Sequence, residues 1–126
     1  MKLRLADIAH ARSGDKADRA DIGLFAWDAA GWPLLQAQVT RGRVAAHFAH
    51  LLGGDDAGRV DRHELPQLLA LKFVLHGALN GGAARSLRSD NLGKTIAAQL
   101  LRMEIEVDDA TGEAALAGAR REIERF

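Results

Sequence analysis

The sequence predicts an α+β fold, a two-layer sandwich in which one antiparallel sheet carries two main helices in ββαββα order. Three observations predict it. Short extended or alternating runs recur at 3–9, 22–27, 59–65 and 70–76. Two longer stretches, after Thr40 and after Asp90, space their apolar residues as an amphipathic helix does. Glycine and aspartate clusters separate these runs, and 126 residues make one ordinary domain spanning 1–126.

The elements follow in order. Leu3, Leu5 and Asp7 alternate with Arg4, Ala6 and Ile8, which predicts a strand over Leu3–Ala9. His10 to Asp21 is rich in charge and reads as a loop. Ile22–Trp27 is a compact apolar run and a second strand, closed by a turn at Asp28–Gly31. Pro33 opens a helical turn through Leu34 and Leu35. Leu35, Ala37 and Val39 alternate with Gln36 and Gln38 equally well as a strand, and both readings stand. Thr40 is suited to cap a helix faced by Val44, Phe48, Leu51 and Leu52 and stopped by Gly53-Gly54.

Asp55–Gly58 is a turn and Arg59–Leu65 is extended, ending before Pro66. Leu71, Phe73 and Leu75 alternate with Lys72 and Val74, giving a strand over Ala70–His76, although Leu68, Leu71, Leu75 and Leu79 would also stripe a helix. Asn80-Gly81-Gly82 is a loop and Ser86–Arg88 a short extended piece. Asp90 or Asn91 caps a helix faced by Ile96, Leu100 and Met103, and Ile105 and Val107 continue as a short strand. The tail from about 108 is expected to pack loosely, its Ala-rich part from Glu113 forming a weak helix or fraying. The second face of such a sheet needs cover wherever it is apolar, which points to a homo-oligomer or another partner.

Composition excludes several functions. With no cysteine, there are no disulfides, thiolate metal sites or cysteine nucleophiles. Seventeen basic residues against seventeen acidic ones argue against a nucleic-acid module driven by bulk charge, and 5% aromatics without tyrosine argue against base-stacking platforms. No apolar stretch approaches the ~18 residues of a membrane span. Met1-Lys2-Leu3-Arg4-Leu5-Ala6-Asp7 lacks the apolar core of a signal peptide, so a cytoplasmic location is expected.

Three polar segments concentrate the chemistry: Ser13-Gly14-Asp15-Lys16, Asn80-Gly81-Gly82, and Ser86 through Thr95. The last ends in Gly93-Lys94-Thr95 at a predicted helix start, where free N–H groups and a lysine suit an anion or simply cap the helix. It is no P-loop, because Arg88 stands where that motif needs glycine. Ser13-x-x-Lys16 with Ser89-Asp90-Asn91 echoes penicillin-recognising enzymes, but the chain is far too short for that fold. A Ser13/Lys16 dyad and a solvated loop remain as readings of the first segment. His47 and His50, near Asp55 and Asp56, fall short of a zinc ligand set, and no metal or cofactor is expected. His10 or His63 would serve as a general base or as a structural histidine, and His76 as a satisfied half-buried one. Arg85, Arg88, Lys94 and Arg102 make 85–102 locally basic, suited to phosphate, carboxylate or a coenzyme A tail, or to a solvated face.

Three segments together resemble one family. The first is Ala9-His10-Ala11-Arg12-Ser13-Gly14-Asp15-Lys16 with Asp18 and Ile22-Gly23. The second is Glu64-Leu65-Pro66, Leu68 and Ala70-Leu71 with Phe73-Val74-Leu75. The third is Ala78-Leu79, Gly81-Gly82, Ser86-Leu87-Arg88, Asp90 and Gly93-Lys94. In this order and spacing they resemble the AtuA-like family, named for acyclic terpene utilisation, and within it the small ferredoxin-fold domain. The likeness covers residues 3 to about 105. Ala17 stands where the family has glycine, Asp21 where it has asparagine, and Gln67 and Lys72 where it favours asparagine, so a shared site is altered at polar positions.

The resemblance implies a ferredoxin-like sandwich and a setting in the catabolism of branched acyl compounds and their coenzyme A thioesters. The family's domain often follows a much larger one in the same polypeptide, so its occurrence alone implies a separately encoded large AtuA-like subunit. The expected role is a binding or assembly subunit, in a homo-oligomer, with a small anionic or acyl-CoA ligand. Its ligand residues would be Ser13, Gly14, Asp15, Lys16, Asp18, Gly81, Gly82, Ser86, Arg88, Asp90 and Lys94, the Ser13–Asp18 loop meeting the Gly81–Asp90 region. The alternative is an enzyme acting on an acyl-CoA or carboxylate substrate through Asp15, Lys16 and His10.

Overall fold

The computed structural model describes residues 1–16, 19–52, 57–78 and 92–125. The chain is an α+β sandwich with antiparallel sheets. Strands β2 (Ala9–Lys16), β3 (Arg19–Ala26), β4 (Val60–Leu65) and β5 (Ala70–Leu75) form one sheet in the order β2-β3-β5-β4. Two short strands, β1 (Lys2–Arg4) and β6 (Glu104–Glu106), pair separately.

Two sequence expectations are corrected at the N-terminus. The strand expected over Leu3–Ala9 is broken by a helical turn, α1 (Leu5–Ile8). Leu5 and Ile8 are both buried, and only a helical turn brings residues three apart to one side. The Asp7 carboxylate fastens the turn by accepting the Arg4 N–H at 2.9 Å. The loop expected over His10–Asp21 is instead most of a hairpin, with β2 and β3 paired from Ala9↔Ala26 to Lys16↔Arg19. As an outer strand β2 packs one side only, with small residues, so its other side is free to be polar.

The expectations for β4 and β5 hold. Pro66–Leu68 forms a 3₁₀ turn between them. The segment left open after Pro33 is helical, α2 (Trp32–Gln38), with Leu34 and Leu35 buried. Thr40 caps α3 (Arg41–His47) by accepting the Arg43 N–H at 3.2 Å. The single helix expected after Thr40 is interrupted at Phe48 and resumes as α4 (Ala49–Leu52). Gly53-Gly54, the Asp55-Asp56 part of the expected turn, Asn80-Gly81-Gly82, Ser86–Arg88, and Asp90 and Asn91 as caps lie outside the described residues.

Helix α5 (Leu92–Leu100) buries Ile96 and Leu100. Met103 is buried too, but beyond the helix, where its carbonyl accepts the Leu5 N–H at 2.9 Å. The tail expected to fray is a full 16-residue helix, α6 (Asp109–Glu124). It buries Gly112, Ala115, Gly118 and Ala119 and lies against α1. Asp108 caps it by accepting the Thr111 N–H at 3.0 Å.

Helices α2, α3 and α5 pack on one face of the four-stranded sheet. That face supplies Ala20, Ile22 and Leu24 from β3 and Leu71, Phe73 and Leu75 from β5, all fully buried. Among the described residues no polar or charged residue is buried, and no helix is long and apolar enough to cross a membrane.

Candidate functional site

Strand alternation turns a second set of residues to the opposite face of the sheet. Register arranges them in rows that cross all four strands. The first row reads His10, Phe25, Ala70, Leu65, and the second Arg12, Gly23, Lys72, His63. The third reads Gly14, Asp21, Val74, Asp61. This face is therefore banded, aromatic and apolar in one row, cationic in the next, acidic in the third.

A hollow of about 300 Å³ lies in it, over Gly14 and Gly23. Arg12 and Lys72 flank Gly23 from the neighbouring strands, so roughly 10 Å separates their backbones. Gly23 has no room for a side chain, since a Cβ there would stand 2.9 Å from Cε2 of Phe25. The Phe25 ring thus leans over the glycine and forms part of the lining. At Gly14 a Cβ would lie 3.3 Å from Oδ1 of Asp21. Leu65 and Leu68 make the apolar wall and are 39% and 61% exposed. A smaller hollow of about 200 Å³ shares Asp21 and Lys72 with it. Among the described residues, no ion pair or hydrogen bond engages the side chains of Arg12, Asp21 or Lys72.

His10 borders the site. Its ring stacks on Phe25 with centroids 5.1 Å apart and meets Trp27, tilted, at 4.3 Å. Burial among these rings, and then the charge of Arg12, hold its pKa below the ordinary histidine value. At the other end of the face His76 Nε2 lies 2.7 Å from Oδ2 of Asp61. That hydrogen bond is the main reason the Asp61 carboxyl titrates below the usual carboxylate range.

The expected site residues divide sharply. Ser13 and Gly14 border the hollow. Ser13 also faces α5, where its Oγ accepts the Ala97 N–H at 3.2 Å. Asp15 and Lys16 sit at the hairpin end in register with Ala20 and Arg19. Lys94 lies in the first turn of α5. The side chains of these three, with Asp18, Gly81, Gly82, Ser86, Arg88 and Asp90, lie outside the described residues, and so does any meeting of the 13–18 and 81–90 segments.

The histidines expected to share a helix are on α3 and α4, and His47 Nε2 lies 2.6 Å from the Gln99 carbonyl. Among the described residues no group of three metal-ligating side chains forms. His63 is exposed, whereas His76 has the partner expected of it. What the sequence did not reveal is the constellation of Arg12, Asp21, Phe25 and Lys72. Its signal was present only as strand register, which pairs Gly23 with both Arg12 and Lys72.

Comparison with curated proteins and with solved structures finds no match. A family model does match, over most of the chain. Over residues 3–106 the chain belongs to the AtuA ferredoxin-like domain family.

Proposed function

We propose that the chain is a small binding and assembly subunit of an AtuA-related system. In this reading it works with a larger AtuA-like protein on branched acyl or terpenoid acyl-CoA compounds. The observation that carries it is the open sheet face, where exposed Leu65 and Leu68 adjoin Arg12, Asp21 and Lys72, charges with no partner among the described residues. Apolar area mixed with unspent charge on one flat face suits docking.

A small anionic ligand belongs to the polar end of β2. The Ser13–Ala97 hydrogen bond supports this by tying that strand to α5, which opens with Leu92-Gly93-Lys94. Lys16 and Lys94 would supply the positive charge. Calorimetric titration of the purified chain with acyl-CoA esters and simple carboxylates, alone and with the larger protein, tests the reading. Binding without turnover, weakened tenfold or more by Lys16→Ala or Lys94→Ala, is the expected result. Absence of binding in both settings refutes it.

One observation favours an enzyme as the second reading. His10, with its lowered pKa, is neutral at pH 7 beside the hollow, as a general base must be. Turnover by the chain alone, abolished in Lys16→Ala and in His10→Phe, would decide for it.

A further inference from the structure

We infer that the hollow on the open sheet face is a binding site for a small monocarboxylate with an apolar tail. It goes beyond the anion assigned above to Lys16 and Lys94, because a different set of residues carries it, and it needs no docked partner.

Charge selects the head group. Arg12 and Lys72 stand on either side of Gly23, on the two strands that flank β3. Roughly 10 Å separates their backbones, a gap that two long side chains close onto one small group. Neither meets a carboxylate among the described residues. Asp21 belongs to the same lining. Its carboxylate leans over β2, with Oδ1 3.3 Å from where a Cβ on Gly14 would stand. Two cations and one carboxylate leave the lining a single positive charge in excess. A monoanion neutralises that excess. A dianion such as a phosphate monoester overshoots it and meets Asp21 as a like charge. A carboxylate is also the planar acceptor that a guanidinium grips with two parallel hydrogen bonds.

Shape selects the tail. The Phe25 ring occupies the space that Gly23 leaves, so the floor between the two cations is apolar. Ala70 continues the Phe25 row with a small residue, and Leu65 and Leu68 stand beyond it as a wall. The cationic and apolar rows are two residues apart along the strands, about 7 Å. A ligand chain of several carbons therefore runs along the strands from the head group to the leucines. Both leucines are exposed, and covering them takes apolar surface out of water, a gain that a bare carboxylate does not have. At about 300 Å³ the hollow is at the small end of ligand pockets and suits a short or medium chain.

The test is calorimetric titration of the full chain at pH 8 with octanoate, acetate, octanamide and octyl phosphate. At that pH histidines are neutral and the phosphate ester is a dianion. Octanoate is expected to bind, and each of the other three at least tenfold more weakly, since acetate lacks the tail, octanamide the charge and octyl phosphate the single charge. Lys72→Met and Arg12→Met keep an apolar stem and remove a cation, so each should weaken octanoate tenfold or more. Leu68→Ser, at a residue 61% exposed, should weaken it several-fold. Asp21→Asn should narrow the gap between octyl phosphate and octanoate, a change of preference that damage to the fold would not produce. Circular dichroism checks the fold of each variant. Octanoate bound no better than octanamide, or an octanoate affinity unmoved by Lys72→Met, overturns the inference. Octanoate binding lost in Lys16→Ala but kept in Lys72→Met overturns it too and leaves the anion at the polar end of β2. Absence of any carboxylate binding refutes both.

Discussion

Ser13 and Ala97 lie 84 positions apart, and the serine hydroxyl accepts the alanine backbone N–H at 3.2 Å. An outer strand and a helix from the far part of the chain are thereby fastened by one side chain. The same serine opens the polar run that the sequence marked as a ligand segment, so its hydroxyl has a structural task there. Ser13→Ala should cost about 1 kcal/mol. For a domain of this size that lowers the melting temperature by roughly 4 °C. A urea midpoint that falls with unchanged slope would confirm that only stability is affected.

His10 supplies a pH prediction. Its folded pKa is below the unfolded one, because burial between Phe25 and Trp27 and then the charge of Arg12 oppose protonation. The unfolded chain therefore binds the proton more readily. This site's effect on stability is absent above the unfolded value of about 6.5 and grows as a loss when pH falls through it toward the folded pKa. Replacing His10 by phenylalanine should flatten stability over that window. Arg12→Ala should raise the His10 pKa only in part, since burial is the larger cause, and an NMR titration of the imidazole reads it directly.

Arg62 is the tie between β4 and α2. Its guanidinium donates to the Val39 carbonyl at 2.9 Å, to the Gln36 carbonyl at 2.7 Å and to Glu64 at 2.8 Å. Arg62→Met keeps the apolar stem and deprives all three acceptors. Loss of roughly 2 kcal/mol is expected in chemical denaturation. The Glu64 carboxyl, held below its ordinary range chiefly by Arg62, should move back up in a carbon-13 titration, by less than fully because Gln36 still donates to it.

Gly118 admits no side chain, because an added Cβ would collide with the Asp28 carboxylate. That carboxylate accepts the Ala30 N–H at 3.1 Å in the turn before α2. Gly118→Ala therefore forces either α6 or the turn to shift, at a cost of about 1–3 kcal/mol despite alanine's better helix propensity. A melting temperature that rises instead would show that α6 is not seated on this turn.

Legibility in the sequence followed side-chain size. β5 was readable because Leu71, Phe73 and Leu75 are large and alternate, and α3 because Thr40 precedes an apolar stripe. The hairpin strand β2 was not, since it turns Ala9, Ala11 and Ser13 inward, residues too small or too polar to register as a period. Helix α6 escaped for the same reason, packing through Gly112, Ala115, Gly118 and Ala119. The polar run 13–16 was visible as chemistry, but its position on a strand was not. Arg12, Asp21 and Lys72 come from three strands, and nothing local in a sequence fixes the pairing that gathers them.

The outer strand β4 has a consequence for how the molecule avoids growing into fibres. An uncovered strand edge is a template on which further chains add, and proteins blunt such edges with charged residues turned inward. Arg62 and Glu64 stand on the same side of β4 as buried Val60, and the Arg62 side chain is only 16% exposed. An incoming strand would have to accommodate this ion pair and its bonds to the Gln36 and Val39 carbonyls, or break them. Stacking edge to edge is thus discouraged at β4, and aggregation of this chain at high concentration should increase when Arg62 and Glu64 are both replaced by valine.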